Sequence, residues 1–247
     1  MAESLSIWWS RLLGLRGELF ARFKEIFAKC AALWPWADRV LVLITLSIVV
    51  VRLSGKPPDL SIASLAFPLI GLIIVFRSPL LTGPRPTLSG FIGMVISYPA
   101  LAFLEFPRQI PSQIASGHAG AVFIATVLFY VMLLGWGYYS IGRSFAIFPS
   151  ARIVVTGGPY NLVRHPIYSA YLHLVMCYTA LTPTLRNISV TAIFALALLL
   201  RVKCEEGLLL RAQAYGPFRN RVKNRFFNAA VSAPAAVAAA ALWFARL

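Results

Sequence analysis

Apolar runs broken by short polar stretches recur along most of this chain, at 40–51, 60–76, 88–104, 119–141, 167–182 and 188–200. A helix that crosses a bilayer needs about 20 mostly apolar residues, within a range of about 17 to 25. The first run reaches that length only by extending back through Trp34, Pro35 and Trp36. The last reaches it only if its helix continues through Glu205 toward Leu210. Both extensions are expected. Trp136, Tyr138 and Tyr139, near the end of the fourth run, read as an interfacial aromatic belt. The pattern predicts an all-α integral membrane protein of about six transmembrane helices.

Residues 5–27 follow a different pattern. Leu5, Trp8, Trp9, Leu12, Leu19, Phe20, Phe23, Ile26 and Phe27 recur at helical spacing, with Arg11, Arg22, Lys24 and Lys29 largely off that stripe. Such a pattern predicts an amphipathic helix lying in the membrane interface. Four parts follow: the interfacial helix over 1–36, N-terminal transmembrane helices over 37–112, a C-terminal core over 113–227 and an Ala-rich tail over 228–247. Alanine is weakly apolar, so the tail reads either as an extra span or as a surface helix.

Composition strengthens the membrane reading. The chain is 59% hydrophobic and 13% charged, with a mean hydropathy of +0.76, where a soluble domain carries about 25% charged residues. A net charge of +15 would suit nucleic acid, but the basic residues lie between apolar runs rather than on one patch. Their expected partner is the anionic leaflet of a bilayer, and no nucleic acid. With the N-terminus cytosolic, eighteen Lys and Arg fall on that side against four on the other, Arg52, Lys56, Arg108 and Arg186. The positive-inside bias then puts the polar clusters described next on the cytosolic face. Arg outnumbers Lys and Ala is abundant, which points to a GC-rich bacterial source and its inner membrane. Cys30, Cys177 and Cys204 form no metal-ligand pattern with the histidines and read as packing residues. His118 and His173 read as polar groups satisfied within a bundle. The sequence fixes no oligomeric state.

Two polar clusters flank the hairpin formed by the fifth and sixth runs. Glu205 and Glu206, the sole acidic residues of the C-terminal half, stand among Arg201, Lys203 and Arg211 after the sixth run. Gly157, Gly158, Pro159 and Tyr160, then Arg164, His165, Pro166 and Tyr168, precede the fifth. Ionisable groups at a membrane segment are costly to desolvate and mark a functional site by default. Pro166 suits the first turn of a helix, whose free N–H groups and partial positive charge favour a carboxylate or phosphate. Arg201 and Glu205, four apart, share a helix face. The folded hairpin would therefore offer an anion-binding end and a cation-binding end at one level, which suits a zwitterion bearing an extra positive charge.

These residues resemble a known family. The run from Ile141 to Phe145, then Pro149, the stretch from Val155 to Tyr160, and Arg164-His165-Pro166-Ile167-Tyr168 are similar to isoprenylcysteine carboxyl methyltransferases. So is Arg201-Val202-Lys203-Cys204-Glu205-Glu206 followed by Leu209 and Tyr215. Phospholipid N-methyltransferases share this core, and the resemblance covers roughly 119–227. It implies S-adenosylmethionine as cofactor, with Gly158, Pro159, Tyr160, His165, Pro166, Tyr168, Glu205 and Tyr215 around it. It also implies Arg164, Arg201, Glu205 and Glu206 as the catalytic set; the cysteine and histidine spacing leaves no metal site expected. Ala170, Ala180, Phe218 and Phe227 depart from residues frequent in the family, and these departures bear on the acceptor pocket.

The resemblance implies methyl transfer to a lipophilic acceptor: an isoprenylcysteine carboxylate, a lipid amine or a similar group. A carboxylate acceptor would be positioned by Arg201 or Arg164, whereas an amine or thiol would call on Glu205 or Glu206 as base. An NADPH-dependent sterol-reductase-like enzyme and a non-enzymatic scaffold are the alternatives. Cofactor and acceptor are expected to enter by separate routes, the acceptor sideways past lipid-facing positions such as Gly137.

Overall fold

The computed structural model describes residues 35–53, 69, 73, 76, 87–105, 117–142, 145 and 154–245. The interfacial helix expected over 5–27 and most of the run 60–76 lie outside the described residues, although Leu69, Ile73 and Phe76 are helical. Among the described residues the fold is entirely helical: α1 (Ala37–Leu53), α2 (Leu88–Ala100), α3 (His118–Ile141), α4 (Pro166–Leu181), α5 (Leu185–Leu209), α6 (Tyr215–Arg221) and α7 (Ala229–Phe244). Two of these, α3 with 24 residues and α5 with 25, are long and apolar enough to cross a membrane. The protein is an integral membrane protein. Six spans were expected. Among the described residues α1, α2, α4 and α7 are helical and apolar, but each is shorter than about 20 residues. Prolines set some of these limits. Pro166 opens α4, and Pro99 ends α2, which runs on as a 3-10 turn at Leu101–Phe103.

The sixth run does continue through the carboxylates, as α5 extends to Leu209. Helix α5 packs against α2 on one side and against α4 on another. Glycine permits the first contact: a Cβ on Gly93 would lie 2.7 Å from the Ala197 carbonyl oxygen, and one on Gly90 would collide with the Cys204 side chain. Small residues let two backbones approach where lipid supplies no hydrophobic force between helices. The contacts also fix antiparallel order, since Gly90 faces Cys204 while Glu105 meets Asn187.

The Ala-rich tail is α7, packed on α3 and α4 through buried Val231, Ala235, Ala238 and Leu242. Pro234 interrupts its ladder, and α3 repairs it. The Tyr130 hydroxyl donates to the Val231 carbonyl at 2.7 Å and accepts from the Ala235 N–H at 3.2 Å. It thus occupies the gap that a helical proline opens.

Three expectations change. Tyr139 is 88% exposed and Trp136 half-exposed, but Tyr138 turns inward to hydrogen-bond Tyr171 at 2.7 Å and does not belong to a surface belt. Trp136 and Tyr139, three apart, share a helix face, whereas Tyr138 is rotated from Tyr139 by about 100° and lies off it. Gly137 is buried, and a Cβ there would lie 2.8 Å from Ile167 Cγ1. It is a packing position between α3 and α4 rather than a lipid-facing gate. His118 is exposed at the start of α3, whereas His173 is buried and bonded to the Ser169 carbonyl and to Ser232 Oγ.

Candidate active site

The turn between α4 and α5 brings the two polar clusters together. Tyr168, in the first turn of α4, donates its hydroxyl to Glu205 Oε2 at 2.7 Å. Arg164, just ahead of α4, donates from Nε to Glu206 Oε1 at 2.8 Å, and His165 Nε2 lies 3.3 Å from the same oxygen. The other Glu206 oxygen takes Nε of Arg225 at 3.0 Å and Nη2 at 2.9 Å. The adjacent carboxylates thus differ sharply. Glu206 is buried beneath Arg164, His165 and Arg225, while Glu205 is half-buried with Tyr168 as its partner.

A buried carboxylate persists only where cations and donors replace its lost hydration. Arg164 extends the same tie, since its Nη1 donates to the carbonyls of Val222 and Lys223 at 2.8 and 2.7 Å. The backbones join as well, through Arg164 N–H to Asn224 and His165 N–H to Arg225. Ser169 Oγ reaches the Phe226 carbonyl, and Asn228 Nδ2 reaches that of Leu162. The segment 222–228 is therefore strapped across the start of α4.

Gly157 to Tyr160 form the wall on the α3 side. Gly158 has φ +61°, and a Cβ there would lie 2.8 Å from Ser140 Oγ and 3.1 Å from Trp136 Nε1. Both the left-handed backbone and the close approach of α3 demand glycine. Pro159 and Tyr160 are buried in the short 3-10 turn that follows. Burial, and after it the charge of Glu205, holds the Tyr160 phenol well above its ordinary range, so it remains a donor. Tyr215 on α6 packs with Tyr160 and Phe218. Its phenol is raised too, by burial first and then by Glu206. Its hydroxyl is shut off from water with no hydrogen-bonding partner among the described residues.

Arg201, one turn before Glu205 on α5, is buried with its guanidinium 4.4 Å from the centre of the Tyr168 ring. That distance is within cation–π range. His165 stacks on the other residue of this cluster, with its ring centroid 5.5 Å from that of Tyr168 and the planes 8° apart. All the expected site residues therefore lie in one neighbourhood, with Pro166 at the first position of α4. Sequence reasoning missed Arg225, counted only as a topology charge, and the inward-facing Tyr98, Tyr138 and Tyr171. Helical spacing offered a signal for one of these, since Tyr171 follows Tyr168 by three residues and shares its face.

Residues 117–217 match the family model for phospholipid methyltransferases. The matched region is the one whose motifs resemble the isoprenylcysteine carboxyl methyltransferases, which share this core. No curated protein matches the chain. The match includes Gly158, Tyr160, Arg164, His165, Arg201, Glu205, Glu206 and Tyr215, and stops short of Arg225 and α7. The donor set fits the cofactor that such methyltransferases use. Glu205 offers an oxygen to an ammonium or sulfonium, and the buried Tyr215 hydroxyl and the Tyr160 phenol are donors near it.

Proposed function

We propose that this protein is an S-adenosylmethionine-dependent methyltransferase of the membrane, acting on a lipophilic acceptor. The observation that carries this reading is the division of labour between Glu205 and Glu206, inside a domain of a methyltransferase family. Glu206, fully engaged by Arg164, His165 and Arg225, positions the strap and the start of α4. Glu205 keeps one oxygen for a cationic ligand and is the acidic side chain suited to hold the cofactor. Arg164 and Arg201 then act by different routes, Arg164 by positioning and Arg201 beside the acceptor. The cofactor brings a methyl group on a positively charged sulfur; the acceptor's lone pair takes the methyl, and the sulfur keeps the bonding electrons as a thioether. The side chains supply orientation and a dry site, which suffices when the leaving group is already good.

In the same reading the chain has about six spans, with the N-terminal helix in the interface, a cytosolic N-terminus and a cytosolic site, in a bacterial inner membrane. The Lys and Arg distribution supports this orientation. Calorimetry on the detergent-solubilised protein tests the function. S-adenosylhomocysteine should bind and NADPH should not, and Glu205→Gln should lose the binding while the melting temperature stays within a few degrees. Binding of NADPH instead, or full S-adenosylhomocysteine affinity in Glu205→Gln, would overturn it.

A further inference from the structure

The Arg201 guanidinium packs over the Tyr168 ring at 4.4 Å, and Tyr98 on α2, Tyr138 on α3 and Tyr171 on α4 lie within its electrostatic reach. Three of their hydroxyls are engaged, Tyr168 with Glu205 and Tyr138 with Tyr171. The Tyr98 hydroxyl is the exception. It is closed to water and has no hydrogen-bonding partner among the described residues. It lies within electrostatic reach of Tyr171 and Arg201, and more weakly of Asp38. The antiparallel contacts of α2 with α5 put Gly93 against Ala197, Leu200 and Arg201, so the Tyr98 backbone stands further toward the Asn187 end of α5.

A buried hydroxyl without a partner is destabilising, and each one in a folded protein calls for an explanation. A guanidinium has no acceptor to give, so the Tyr98 O–H proton needs an acceptor that Arg201 cannot supply, and an anionic one suits the cation nearby. We infer that Tyr98 is an acceptor-positioning residue, donating its hydroxyl to an oxyanion on the head of the methyl acceptor while Arg201 balances the charge. This rests on the methyltransferase reading above. It adds that α2, outside the matched domain, supplies part of the acceptor site. An oxyanion of this kind belongs either to a phosphodiester beside a lipid amine or to a carboxylate on a prenylated thioether.

The test compares wild type with Tyr98→Phe in nanodiscs. One arm uses phosphatidylethanolamine discs; the other uses phosphatidylcholine discs with added S-farnesylcysteine. Methyl transfer, S-adenosylhomocysteine affinity and melting temperature are measured. Loss of an unsatisfied hydroxyl should leave the melting temperature equal or higher and cofactor affinity within two-fold. The acceptor KM should rise about ten-fold, the scale of a hydrogen bond to a charged group. A rise in the first arm alone identifies the phosphodiester, and in the second alone the carboxylate. Stability gained while acceptor affinity falls cannot come from misfolding. An unchanged KM would make Tyr98 a packing residue and overturn the inference. So would a wild type that binds S-adenosylhomocysteine but methylates neither probe, which leaves the cofactor reading standing. If S-adenosylhomocysteine itself does not bind, the methyltransferase reading fails first and the inference with it.

Discussion

At its N-terminal end α5 is tied by neutral groups and one surface ion pair; at its C-terminal end it is tied by a buried charge cluster. Near the start of the helix, the buried Asn187 side chain accepts from the Glu105 N–H at 2.8 Å. It also donates to the carbonyls of Glu105 and Thr182 at 3.0 and 2.9 Å. Beside it Arg186 meets Glu105 at 3.0 Å, with both side chains 40% exposed or more. Near the end of the helix Glu206 is buried against Arg164, His165 and Arg225. The N-terminal tie shapes a turn. The C-terminal tie joins three segments around the proposed site, with Arg164 lying 42 positions before Glu206 and Arg225 19 positions after it. Charge is placed where parts of the chain must hold a geometry, and neutral groups where a loop need only close.

The largest effect should therefore come from Glu206→Ala. Removing one member of a buried ion cluster costs about 3–5 kcal/mol, because the remaining charges lose their compensation. Arg164 would stay buried with only the carbonyls of Val222 and Lys223. Thermal unfolding in detergent should show a strong loss of stability together with loss of S-adenosylhomocysteine binding. Glu205→Gln should lose the binding alone. If Glu206→Ala melts like wild type, the cluster does not hold the strap, and the contrast between the two ends of α5 collapses.

That contrast was only partly legible in the sequence. Helix positions were, because apolar runs and helix-limiting residues such as Pro166 act locally; α5 ends at Leu209, close to where the run through Glu205 predicted. The meeting of the two clusters was legible too, since a short hairpin leaves neighbouring helices antiparallel. The different fates of Glu205 and Glu206 were not. Adjacent residues differ by a rotation of about 100°, and which one turns inward depends on what the rest of the bundle presents. Here Arg225 decides it, reaching back 19 positions from a segment that looked only basic. Tyr98 was invisible for a similar reason. Its meaning comes from the Gly90 and Gly93 contact with α5, which no local pattern records.

An intermediate effect is expected at the other end of the helix, from Asn187→Ala. Its amide serves both backbone groups of Glu105 and the Thr182 carbonyl, so truncation strands buried polar groups at about 1–3 kcal/mol. The buried Asn187 side chain is thus a support for the turn between α4 and α5. The melting temperature should fall by less than in Glu206→Ala, and S-adenosylhomocysteine affinity should hold. A loss of cofactor binding equal to that of Glu206→Ala would show that the two ends of α5 are not independent.

The smallest effect should come from Arg186→Ala, one residue away. Its guanidinium makes an ion pair with Glu105 and donates from Nε to the Phe103 carbonyl at 3.1 Å. On distance alone this pair rivals the Glu206 contacts. Exposure separates them: both partners are at least 40% open to solvent, and such pairs contribute about 0–1 kcal/mol because water and salt already satisfy the charges. Unfolding midpoints of wild type and Arg186→Ala should therefore lie within about 1 kcal/mol of each other, and the small gap should shrink as salt is raised. Methyl transfer should be unchanged, since Arg186 lies at the far end of α5 from Glu205. A large, salt-independent loss would mean that this pair is shielded, by the membrane or by another part of the chain, and that charge is decisive at both ends of α5.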